Sequence, residues 1–274
     1  MTKPYFIVTF YRFVPLPHYQ EIRWPLLSLA NHHHLKGTIL LAYEGYNATL
    51  SGLPGDIAAF KTDVAALDPA FLDIPWRESW HDTAPFGTMK VRLKAETIRM
   101  KDETVDVTLS QGTHVAPPNW AELIQRDDVI VLDTRNDYEV AFGTFRRALN
   151  PKLDHFHGFP EWVKDNLSDK TKPIAMFCTG GIRCEKAAAF MKAEGFEHVY
   201  QLEGGILDYF AQTQDQDNLW QGSCFVFDDR VAVRPNLEAI PTPLCACTGN
   251  PITTEDIKFR PEPMASCGSC LPRG

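Results

Sequence analysis

The sequence predicts an α/β protein: a central parallel sheet flanked by helices, preceded by an N-terminal α+β domain of βαββαβ order and followed by a Cys- and Pro-rich tail. Three observations carry this. The chain has 274 residues, more than a single core usually serves. Its middle third alternates apolar runs with amphipathic stretches, as parallel strands joined by helices do. Four of the seven cysteines and seven of the 20 prolines crowd the last 41 residues.

The N-terminal order follows from periodicity. YFIVTFYRFV reads as a strand, HYQEIRWPLLSLANHHH as a helix and GTILLAY as an apolar strand. A turn at Glu44 and Gly45 leads into NATLSG, a helix spans about Pro54 to Leu67, and alternation from Ile74 to His81 marks another strand. This is the split-βαβ, ferredoxin-like pattern, assigned to residues 1–95. Residues 96–117 lose periodicity and end in Pro117 and Pro118, which reads as a linker. Over 118–222, VIVLDT, PIAMFC and HVYQLEGG read as strands, with FPEWVKDNL and EKAAAFMKAEG as the helices between them. Residues 223–274 form the Cys-rich segment, which needs docking or a metal to be stable.

Composition narrows the function classes. With 44% hydrophobic and 23% charged residues the chain is that of an ordinary soluble protein. No apolar run approaches the ~18 residues of a membrane span, and no signal peptide is visible, so the expected location is the cytoplasm. Clustered cysteines in a reducing compartment favour catalysis or metal binding over disulfides. The net charge of -8 does not advertise a nucleic-acid binder, but the acidity is uneven. Residues 101–223 carry 12 Lys/Arg against 20 Asp/Glu, whereas residues 1–100 carry ten against nine, so a local basic patch is expected near the N-terminal region.

The chemistry concentrates in CTGGIRC, Cys178 to Cys184. Cys178 ends a buried strand, and the loop feeds a helix N-terminus, where ligands bind in open α/β sheets. Thr179, Gly180, Gly181 and Ile182 make an anion cradle of backbone N–H groups, and Arg183 and the helix dipole add positive potential. These favour thiolate over thiol, making Cys178 the candidate nucleophile and Arg183 its electrostatic partner. An isolated cysteine at a strand end is ordinarily an inert core residue; the glycine pair, the arginine and the strand-to-helix setting argue otherwise here. Four residues separate Cys178 from Arg183, one fewer than in a phosphate-sized cradle, which suits a persulfide sulfur better than a phosphoryl group. Cys184 reads equally as a resolving thiol and as a packed small residue.

DTRNDYEVAFGTFRRALN (Asp133 to Asn150), CTGGIRC and LEGGI (Leu202 to Ile206) together resemble a rhodanese domain over roughly residues 118–222. The resemblance implies that Asp133, Arg135 and Glu139 buttress the active loop. GTILLAYEGYNATLSG, PFGTMKVRLK, VAPPNW, IVLDTRNDYEVAFGTF, FPEWV and FCTGGIRCEKAAAFM, in that order, resemble the rhodanese-domain tRNA uridine hydroxylases over almost the whole chain. Membership implies an acylphosphatase-like N-terminal domain and oxygen-dependent conversion of the tRNA wobble uridine to 5-hydroxyuridine, with molecular oxygen as co-substrate. The chain departs from the family's EGINGT at Tyr46 and Ala48, and from FREFP at His157 and Gly158.

A thiolate adding to C6 of uracil would make C5 nucleophilic, which gives Cys178 a role in such a reaction. No dinucleotide fingerprint and no short His-x-Asp/Glu pair is present, so no organic cofactor or iron triad is identified. For RNA contact, Lys90, Arg92, Lys94 and Arg99 alternate along a strand-like run, with Arg146 and Arg147 as a second patch. Tyr46, Phe156 and Trp162 are candidates to stack on a flipped base, although core packing is the ordinary role of such aromatics. His32, His33 and His34 read as a polar helix end rather than a metal site. Cys245, Cys247, Cys267 and Cys270, spaced CxC and CxxC across 19 residues, suggest a structural zinc. Two other functions fit the loop: a sulfurtransferase passing persulfide sulfur to a small or protein acceptor, and a non-catalytic binding module. DNA and membranes are not expected partners, and the oligomeric state is left open.

Overall fold

A computed structural model describes residues 4–102, 105–109, 111–213, 219–240 and 242. The N-terminal unit comprises β1 (Tyr5–Phe13), α1 (Tyr19–His32), β2 (Lys36–Ala42), β3 (Gly45–Gly52), α2 (Pro54–Leu67), β4 (Arg77–His81) and β5 (Met89–Leu93). The first six realise the expected βαββαβ order. The strands run β4-β1-β3-β2-β5, with β5 added parallel to β2 at the edge.

Period-two alternation sorts this sheet into two unlike faces. Val8, Phe10, Ile39, Leu41, Tyr46 and Leu50 enter one core with Ile22 and Leu26 of α1 and Ile57 and Phe60 of α2. Tyr46 is fully buried there, its hydroxyl donating to the Ala70 carbonyl at 2.9 Å, so it is no stacking platform for a base. The opposite face carries no helix of its own. Register places Thr9, Thr49, Thr38 and Lys90 in one row across β1, β3, β2 and β5, and Tyr11, Asn47, Leu40 and Arg92 in the next.

The second unit contains β6 (Thr113–Val115), α3 (Pro117–Gln125), β7 (Ile130–Asp133), α4 (Asp137–Val140), β8 (Gly143–Phe145), α5 (Phe159–Asn166), β9 (Ile174–Phe177), α6 (Ile182–Ala193), β10 (Val199–Leu202) and α7 (Gly205–Gln212). Its sheet is parallel throughout, ordered β6-β10-β9-β7. Central β9 is buried on both faces, as such a sheet requires. Ile174 and Met176 pack with Phe159, Ala187 and Phe190, while Ala175 and Phe177 pack with Trp120, Tyr209 and Phe210.

The described residues of 96–117 are not the free linker that their composition suggests. Ile98, Met100 and Val105 pack against the core beneath α5 and α6, and Thr113–Val115 is the fourth parallel strand. The segment lacks periodicity because its buried residues act singly. Pro117 and Pro118 open α3, where a missing N–H costs nothing. The described part of the C-terminal segment also folds: β11 (Trp220–Gly222) pairs with β8, and β12 (Cys224–Phe225), β13 (Ala232–Val233) and β14 (Ala239–Ile240) form a small sheet. Cys245, Cys247, Cys267 and Cys270 lie outside the described residues. Among the described residues no helix is long and apolar enough to cross a membrane.

Polar contacts dock the bare sheet face onto the second unit. Arg77 Nε donates to Asp208 at 3.1 Å, Tyr11 Oη to Glu185 at 3.3 Å, and Arg230 to Ser79 at 3.4 Å. Lys186 of α6 is 1% exposed and pairs with Glu44 at 2.9 Å and Glu96 at 2.6 Å, so both carboxylates from the N-terminal side compensate its buried charge.

Candidate active site

Cys178 follows β9 directly, and residues 179–181 turn the chain into α6. The turn demands Gly181, whose φ is +94° and whose N–H donates to Cys178 Sγ at 3.1 Å. A second glycine backs the loop: at Gly205 (φ +70°) an added Cβ would lie 2.6 to 2.8 Å from backbone atoms of Cys178, Thr179 and Gly181. That explains Gly205 of LEGGI as a close approach of two backbones, whereas an added Cβ at Gly204 (φ +70°) would run into the Asp208 side chain.

Burial alone would push the Cys178 thiol up. A hydrogen bond from Cys184, the charge of Arg183 and the Cys184 and Arg183 backbone N–H groups outweigh it and bring the thiol down to about 5. These contributions favour the thiolate form of Cys178. Burial and the neighbouring Cys178 drive Cys184 the other way, well above the usual thiol range, so it stays protonated and acts as a donor. Cys184 Sγ also lies 3.6 Å from Thr134 Oγ1.

Two buried ion pairs hold the loop. Arg183 grips Glu139 through two hydrogen bonds of 2.6 and 2.7 Å. Arg135 grips Asp133 at 2.9 and 2.7 Å and also donates to the Gly143 carbonyl, fixing β7 against β8. Of the three residues expected to buttress the loop, Glu139 does so directly and Asp133 and Arg135 act one layer behind.

Above the loop lies a cavity of about 620 Å³, lined by both units. Cys178, Thr179, Gly180, Ile182 and Arg183 form its floor, and Tyr11, Asn47, Thr49, Thr9, Thr38 and Leu40, from the bare sheet face, form its roof. Phe86, Ile98, Phe156, Leu207, Val226 and Phe227 supply apolar walls. An added Cβ on Gly181 would come 2.7 Å from Tyr11 Oη, so roof and floor are in contact. Burial pushes the Tyr11 phenol far above its ordinary range, and it remains a neutral donor.

Arg99, His155 and His157 also line the cavity. Burial and then the charges of Lys101, His155 and Arg99 hold the His157 ring below its ordinary range, which identifies a basic cluster. Lys90 and Arg92 are exposed and share the roof's face one strand beyond Thr38 and Leu40, and exposed Lys94 lies just past the end of β5. Arg146 and Arg147 are elsewhere; Arg147 binds the Gln125 carbonyl and Asp127. Of the aromatic candidates, Phe156 lines the cavity, whereas Trp162 packs beside the core. His33 is bound to Asp63 at 2.8 Å, and no group of side chains suited to a metal occurs among the described residues. Sequence reasoning missed Tyr11, Asn47, Thr49 and the two histidines. Polar residues alternating on strands β1 and β3, and the His-x-His spacing, were the signals available.

Residues 5–97 match the family described as UPF0176 acylphosphatase like domain, and residues 117–212 match the Rhodanese-like domain. A protein of Rhizobium etli named tRNA uridine(34) hydroxylase is 46% identical over 98% of this chain and 87% of its own length. One of the same name from Acaryochloris marina is 46% identical over 96% of this chain and 85% of its own. Sinorhizobium medicae has another, 44% identical over 97% and 85%. With the loop, its buttress and both matched domains in place, this chain belongs to the tRNA uridine(34) hydroxylase family.

Proposed function

We propose that this protein hydroxylates C5 of the wobble uridine of tRNA, with Cys178 as the nucleophile. The observation that carries the reading is a depressed thiolate facing a cavity large enough for a base and roofed by another part of the chain. The Cys178 thiolate adds to C6 of the flipped uracil, and the electron pair moves to C5 and O4 as an enolate. The loop N–H groups and Arg183 hold the anion. C5 then takes one atom of molecular oxygen; two electrons from a reductant carry the other atom to water. Loss of the C5 proton and expulsion of the thiolate from C6 restore the ring.

The basic cluster of Arg99, Lys101, His155 and His157, together with Lys90, Arg92 and Lys94, would meet the phosphates around the flipped nucleotide, which reconciles RNA binding with an acidic chain. A structural zinc on Cys245, Cys247, Cys267 and Cys270 remains part of the proposal on their spacing alone.

A tRNA carrying 5-fluorouridine at the wobble position tests the mechanism, because fluorine blocks loss of the C5 proton and strands the adduct. Intact-protein mass should show an adduct that maps to Cys178. No adduct, with Cys178→Ser still active, rejects Cys178 as nucleophile. Transfer of sulfur from thiosulfate without any change in tRNA nucleosides on deletion would instead favour a sulfurtransferase.

A further inference from the structure

We infer that Asn47, at the centre of the cavity roof, reads the Watson–Crick edge of the base presented to Cys178, with Thr49 and Thr9 beside it. This rests on the base-pocket reading above and adds the recognition element to it.

Asn47 lies on β3 between Tyr11 of β1 and Leu40 of β2, in the row that faces the Cys178 loop. Tyr11 is committed to Glu185 and Leu40 is apolar, so Asn47 supplies the amide of that row. Its side chain makes no hydrogen bond to any described residue, although it is half-buried and lines the cavity. An amide with no protein partner, its polar atoms open to the cavity, is free to pair with a ligand. The ligand class follows from its donors and acceptors. A carboxamide offers one acceptor and one donor side by side, which matches N3–H and O4 of uracil. In the adjacent row the Thr9 and Thr49 hydroxyls lie 3.2 Å apart and present a further donor for a carbonyl oxygen. The hydrophobic walls, including Phe156 and Phe227, suit the faces of a ring. The cavity thus divides into a floor that reacts with C5 and C6 and a roof that recognises the far edge.

The test is binding of anticodon stem-loop RNA to the full chain, with uridine, 3-methyluridine or an abasic residue at the wobble position. Methylation removes the N3–H that Asn47 would accept. Wild-type protein should bind the uridine hairpin about tenfold more tightly than the methylated one, and Asn47→Ala should bind both alike. Asn47→Asp, which when ionised presents only acceptors and repels O4, should lose uridine binding. Thermal melts should match wild type, since the Asn47 side chain holds nothing in place. If wild type prefers uridine over the abasic hairpin but Asn47→Ala keeps the full methylation effect, Asn47 is not the reader. If wild type binds uridine and abasic hairpins equally, the base-pocket reading itself fails.

Discussion

Glu139 and Arg183 face each other through two parallel hydrogen bonds, with neither side chain more than 6% exposed. Breaking a buried pair by removing one charge strands the other without water. Glu139→Gln should therefore cost about 3–5 kcal/mol of stability, measured by urea unfolding at neutral pH. A loss below about 1 kcal/mol would mean that the pair is not buried as described.

The thiolate of Cys178 makes a second expectation. Burial is overcome by the Cys184 hydrogen bond, Arg183 and the loop N–H groups, leaving the thiol at about 5. Alkylation by iodoacetamide should be level above roughly pH 6 and fall below 5, as the thiolate is protonated. Cys184→Ala removes the largest of the favourable contributions and should move the midpoint upward. A wild-type midpoint at the free-cysteine position, about 8.5, would sink this account. The same shift stabilises the fold: the gain is complete above the unfolded thiol's pKa and is lost as pH falls through about 5.

Gly181 is constrained twice, by its positive φ and by Tyr11 overhead. Gly181→Ala should cost about 1–3 kcal/mol and reduce Cys178 reactivity by displacing the N–H that binds Sγ. Gly55, where an added Cβ meets nothing, is the control. Equal effects of Gly55→Ala and Gly181→Ala in thermal melts would show that the loop tolerates a side chain.

His114 couples pH to the contact between the two units. Its hydrogen bond to Glu185 outweighs burial and raises the imidazole, and Glu185 also receives Tyr11. A raised histidine contributes stability that is complete below its unfolded pKa of about 6.5 and lost as pH rises through the higher folded value. Across that window this contribution falls while that of Cys178 grows, so His114→Ala should make the melting temperature rise more steeply with pH than it does in wild type.

How much of this was legible depended on how local the signal was. The Cys178 loop, its glycines and its arginine lie in seven consecutive residues, and strand, turn and helix follow from them. The βαββαβ order was equally readable, because each element carries its own period. Strand Thr113–Val115 was not: three residues pair with β10 only after the sheet forms. The cavity roof was hidden for a related reason. Tyr11 and Asn47 are polar residues on one face of a sheet, a pattern that normally means solvent, and nothing nearby in the chain says that another unit covers them. Tyr46 took the core role that is ordinary for such aromatics, since one step along β3 separates a cavity-facing residue from a core one.

The meeting of Tyr11 with Gly181 has a consequence for how such an enzyme can change. In the proposed reading reactivity belongs to the lower half of a chamber and discrimination to its ceiling, and the two halves, at Cys178 and Asn47, are encoded more than a hundred residues apart. A few substitutions along β1 and β3 could redirect the protein to another nucleobase while the sulfur chemistry beneath stays untouched.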